Sequence, residues 1–102
     1  MKHSPSPWRK FEHSWHSTSI ADSNGNIICS LSIYDEATEE NQQELETQMD
    51  ANANLIKAAP ELLENLNVIL ECLRLGYNAN ECVNEIENAI AVIAKATNQK
   101  NQ

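Results

Sequence analysis

The stretch ANANLIKAAPELLENL, residues 51–66, decides how this chain folds. Pro60 has no N–H to give to the carbonyl of Ile56, and its ring steers Ala59 away from helical geometry. The reading is a helix, a break, and a second helix opened by Pro60, whose fixed φ suits a first turn. Before the break, Leu45, Met49, Ala53 and Ile56 recur at intervals of four, four and three, which is one face of a helix. Lys57 stands near its C-terminal end, where positive charge is favoured by the helix dipole.

Downstream, Leu62, Leu63, Leu66, Ile69, Leu70 and Leu73 make a wide apolar stripe, and Gly76 offers a left-handed residue to end it. Asn78 followed by Glu81 is an Asn form of the capping box. Val83, Ile86, Ile90 and Ile93 then repeat at three, four and three, a narrow β-branched seam of the kind that packs along another helix. Helices are expected at about 41–58, 60–74 and 79–97, with a polar tail at 98–102. Stripe and seam together exceed what a small sheet can cover, so the chain is expected to pair with itself, as a dimer or a higher oligomer, through the seam Val83, Ile86, Ile90 and Ile93.

Upstream, Asp22-Ser23-Asn24-Gly25 separates two strand-like runs, and Asn-Gly supplies the positive φ of a tight hairpin. Ile27, Cys29, Leu31 and Ile33 alternate with Ile28, Ser30 and Ser32, the period of a half-buried strand. The hairpin is placed at about 15–33, with a third strand available at residues 8–12 and a flexible start at 1–7. The fold class is α+β: an antiparallel hairpin of two or three strands followed by three helices, one domain over residues 8–97. A sheet this small needs helices on its apolar face.

The totals set limits on function. In 102 residues, fifteen acidic side chains face seven basic ones, a net charge of -8. Nucleic-acid affinity comes largely from Lys and Arg displacing counterions, so this balance disfavours direct nucleic-acid binding. Residues 1–10 lack an apolar signal core, and no apolar run reaches a membrane span. Three cysteines, Cys29, Cys72 and Cys82, are an odd number without a CxxC pair, which reads as free, mostly buried thiols in a bacterial host cytoplasm.

No catalytic constellation emerges. No G-x-S-x-G frames a serine, and with Gly25 and Gly76 as the only glycines there is no phosphate-cradling loop. His13 and His16, three apart in an extended segment, point to opposite faces, so no metal site or cofactor is expected. Two features carry a functional reading. Residues 35–50 hold seven acidic side chains and no basic one. Asp35, Glu36, Glu39, Glu40, Glu44 and Glu46 form either a solvated face or a negative surface for a partner with a basic groove. Asn52, a weak helix former close to the Met49–Ile56 face, is either a structural hydrogen-bonding amide or a ligand contact.

The residues Ala51-Asn52-Ala53-Asn54-Leu55-Ile56, then Ala58-Ala59-Pro60-Glu61-Leu62-Leu63-Glu64 and Leu66, resemble a family of small phage and prophage accessory proteins. Pro7-Trp8 and the Asp22…Gly25 turn are similar to that family's N-terminal part. The resemblance implies a phage origin more than an activity. A looser likeness of layout, sheet then helices, links the chain to Thoeris anti-defence sponges that sequester cyclic nucleotide-derived signals; this is analogy of fold alone. The expected function is a non-catalytic, homo-oligomeric binding protein whose acidic surface engages a host or defence protein. The alternative is an oligomeric sponge for a small nucleotide signal, and the third is a structural scaffold.

Overall fold

The computed structural model describes residues 2–97, and the tail expected at 98–102 lies outside that range. Three strands precede three helices: β1 (Arg9–Ser14), β2 (Ser17–Ala21), β3 (Ile27–Ser32), α1 (Gln42–Lys57), α2 (Ala59–Arg74) and α3 (Val83–Ala96). The fold is α+β, as the hydrophobic patterns require. The sheet is an antiparallel meander in the order β1-β2-β3, so a third strand does join the hairpin. In the segment expected to be flexible, Pro5 accepts a hydrogen bond from Ser23 N–H at 3.1 Å and Ser4 accepts one from the Trp8 indole at 3.0 Å.

The hairpin turn is held by its aspartate. Asp22 Oδ1 accepts from the N–H groups of Asn24 and Asn26, both at 2.9 Å, and Gly25 takes φ +87°. The alternation expected for β3 fails at its first residue. Between the pairs Ile20–Cys29 and Ala21–Ile27 the register slips by one residue, a bulge that turns Ile27 outward and leaves it 59% exposed. Beyond the bulge, Cys29, Leu31 and Ile33 are half-buried.

Lys10, Ile20 and Cys29 share one cross-strand row, and Phe11, Ser19 and Ser30 share the next, on the opposite face. On the opposite face His13 Nε2 bonds Ser19 Oγ and Ser19 Oγ bonds Ser30 Oγ, each at 2.8 Å, stitching the three strands. The first face receives α1. Met49 and Ala53 of α1 and Ile20 of β2 are buried in the small core, with Ala58, Cys82, Val92, Ala94 and Ala96. Lys10 donates to Asp50 of α1. The hydrogen bond to Asp50 and its charge outweigh the desolvation of Lys10 and hold the ammonium pKa above the usual lysine value.

α1 ends at Ala58 and α2 begins at once, with Pro60 in its first turn. The break expected from Pro60 is present, but it falls at Ala58: Ala59, expected to be steered out of helical geometry, is the first residue of α2, because Pro60 in a first turn interrupts no hydrogen bond. α2 closes with a Schellman turn: Gly76 N–H donates to Leu73 and Tyr77 N–H to Cys72, with Gly76 at φ +92°. A Cβ on Gly76 would meet nothing within 4 Å, so the cost of Gly76→Ala is backbone strain alone. That cost is roughly 1–2 kcal/mol, and calorimetry should show the melting temperature falling by about 5–10 °C. The capping box also forms, Asn78 N–H to Glu81 Oε1 at 3.2 Å and Glu81 N–H to Asn78 Oδ1 at 3.1 Å. It shapes the turn that leads into α3 rather than the first residue of the helix itself.

Candidate functional site

α2 and α3 form an antiparallel hairpin, and two cysteines set its register. Cys72 and Cys82 are joined in a disulfide, with their Cα atoms 6.5 Å apart. This corrects the expectation of free, buried thiols. The Schellman turn and the capping box fold the connection back, which brings the end of α2 within disulfide reach of the start of α3. Only Cys29 remains a free thiol. The inference from cysteine count to a reducing compartment loses its premise.

Equal steps away from the disulfide bring Ile69 level with Glu85, Asn65 with Ala89, and Leu62 with Val92. All of these are buried or half-buried, so they form the inner seam of the hairpin. One residue further along each helix lies about 100° around its axis. Because the two helices run in opposite directions, that rotation carries both rows to the same side. Leu63, Leu66, Leu70 and Leu73 therefore lie beside Ile93, Ile90, Ile86 and Val83, each pair offset along the axis by about 3 Å. Together they make one continuous aliphatic face across two helices.

That face is bare. Leu66 and Leu70 are each 54% exposed and Ile90 is 56% exposed; only Ile86 of the eight is half-buried. The seam Val83, Ile86, Ile90 and Ile93, expected to carry self-association, does not form the inner contact with α2. It is turned outward, joined by an equal row of leucines that forms one edge of the wide apolar stripe of α2. The opposite side of the hairpin is acidic and polar. A groove there is lined by Glu61, Glu64, Val68, Asn88, Ala91 and Lys95. Apolar and charged residues are sorted to two sides of the same pair of helices.

The other expected site residues are placed as follows. Asp35, Glu36, Glu39 and Glu40 lie in the turns before α1, Glu44 is in its first turn and Glu46 is half-buried. All but Glu46 are exposed, and none makes an ion pair among the described residues. Asn52 is exposed, and it is Asn54 that is buried, at 5% exposure. The reason is a rotation of α1. Its inner face is centred toward Asp50 and Asn54, where Lys10 holds it, and away from Asn52 and Leu55. Asn54 Oδ1 lies 3.4 Å from the Lys10 ammonium. His16 packs edge-on between Trp15 and Tyr34, while His13 bonds Ser19, so the two imidazoles do not share a site. Among the described residues no three His, Cys, Asp or Glu side chains are grouped to hold a metal, and no helix is long and apolar enough to cross a membrane.

No curated protein and no solved structure matches the chain. A family model described as Salmonella phage P22 protein Y8K6 matches residues 1–100. That span takes in the sheet, the Pro60 junction and the whole helical hairpin, and the chain belongs to this family of phage proteins.

Proposed function

We propose that the protein is a non-catalytic phage accessory protein that works by binding. It pairs with a second copy through the aliphatic face of α2 and α3, and presents its acidic surface to a host or defence protein with a basic groove. The observation that carries this reading is the sorting of the hairpin into a bare aliphatic side and a charged side. A soluble monomer has no use for eight aligned aliphatic side chains, and large exposed apolar patches mark interaction surfaces.

Area supports a second copy as the occupant. The accessible surface is 7539 Å² for a chain of 11.4 kDa. A compact monomer of that mass exposes about 5,800 Å². Granting the six residues outside the described range the full exposure of unfolded chain, about 1,000 Å², still leaves an excess of about 700 Å². A standard-sized interface takes about 800 Å² from each partner. The Cα radius of gyration, 16.7 Å, likewise exceeds the roughly 13 Å of a compact chain this long. A two-fold partner bringing the same face would close a four-helix bundle, whose core is built from such facing rows.

The acidic surface supplies the partner side of the reading. Changing Glu39, Glu40, Glu44 and Glu46 to Gln takes the net charge from -8 to -4. Capture of a basic protein from host lysate should then weaken, and its dependence on salt should flatten. Capture that is unchanged in strength and salt dependence would sink the acidic-surface mechanism while leaving self-association untouched.

A further inference from the structure

The seven basic residues of this acidic chain are not spread evenly. Arg9, Lys10, Lys57 and Lys95 line a single cleft of about 560 Å³, where the start of β1 passes the junction of α1 with α2 and the last turns of α3. Lys10 is already neutralised by Asp50. Arg9, Lys57 and Lys95 make no ion pair among the described residues, although the chain carries fifteen carboxylates. One carboxylate, Glu61, stands in the cleft wall. Three cations against that single carboxylate leave the concavity net positive, and a bound anion relieves their mutual repulsion.

Two further groups give the cleft more than charge. Trp8 contributes an indole to the wall, and the amide of Asn54 is nine-tenths buried at its floor. Asn54 Oδ1 is directed at Lys10, and its Nδ2 makes no hydrogen bond among the described residues, so both of its N–H donors remain for a ligand. A cleft of this volume is in the range that holds small molecules. We infer that it is a binding site for a small phosphate-bearing molecule, its oxyanions held by Arg9, Lys57 and Lys95 and its organic part resting against Trp8. The net charge of -8 does not forbid this, because at physiological salt charges more than about 8 Å away are largely screened. The cleft adjoins the acidic side of the hairpin, away from the aliphatic face. The inference is independent of the self-association proposed above.

The test titrates the full chain with pyrophosphate, adenosine 5′-diphosphate and adenosine, by calorimetry. A Trp15→Phe protein, in which Trp8 is the sole indole, gives a second readout by fluorescence. Saturable binding of the diphosphate and of pyrophosphate, none of adenosine, and a change in Trp8 emission are expected. The double variant K57Q/K95Q should weaken binding by about tenfold or more, as loss of charge-assisted contacts does. Its mass in light scattering should equal that of the unaltered protein. No saturable heat with either phosphate probe, or an affinity unmoved by K57Q/K95Q in a protein of unchanged circular dichroism, would overturn the assignment.

Discussion

Leu70→Glu combined with Ile90→Glu is expected to convert the proposed dimer into a folded monomer. The two side chains lie on the same aliphatic face, one on each helix, and in a single chain both are more than half exposed. A carboxylate at either position is therefore harmless to the monomer. In the proposed bundle the same carboxylates are buried without partners, at several kcal/mol each. The dimer dissociation constant should rise by about a thousandfold or more. Circular dichroism should be unchanged, while light scattering reports half the mass. The melting temperature of the parent protein should rise with its concentration and that of the variant should not, because association stabilises by mass action. A variant that kept the parent mass would place the interface elsewhere.

The second large effect concerns the disulfide. Cys72 and Cys82 are ten residues apart, so the bond closes a short loop. Loop-closure entropy for such a ring gives about 2.8 kcal/mol of stabilisation. In a chain of this size that corresponds to roughly 10–20 °C in melting temperature. Cys82→Ser should lose that amount under oxidising conditions. The unaltered protein should lose a similar amount on adding a reductant, and the variant should then lose nothing more. The consequence reaches beyond stability. The bond joins the tip of the hairpin, where Leu73 and Val83 end the aliphatic face, so reduction should also weaken self-association.

The stretch around Pro60 declared itself because proline chemistry is local. A missing N–H and a fixed ring act on their neighbours whatever the rest of the chain does. The turn at Asp22–Gly25 and the box at Asn78–Glu81 were legible for the same reason. The outward rows of the hairpin were legible as apolar periodicity, but their direction was not. Periodicity says which residues share a face; it does not say whether the face meets its own chain or a copy. Here the inner seam is the weaker one, built partly of Asn65, Cys72, Glu85 and Ala89, so hydrophobicity points to the outer face first.

The disulfide escaped for a different reason: spacing alone does not fix whether two cysteines meet, and here the connection between the helices had to be folded first. Asn54 was passed over for Asn52 because the rotation of α1 is set by Lys10 and Asp50, a contact forty residues long in sequence. The basic cleft gave no signal at all. Arg9, Lys57 and Lys95 lie on three elements, and only the packed fold gathers them.

In the proposed assembly the aliphatic face of α2 and α3 is covered by a second copy. Multi-angle light scattering of the intact, oxidised protein at micromolar concentration tests it most directly. A mass near 22.8 kDa, twice the 11.4 kDa of the chain, is the predicted result. A stable mass of 11.4 kDa across the concentration range would contradict it.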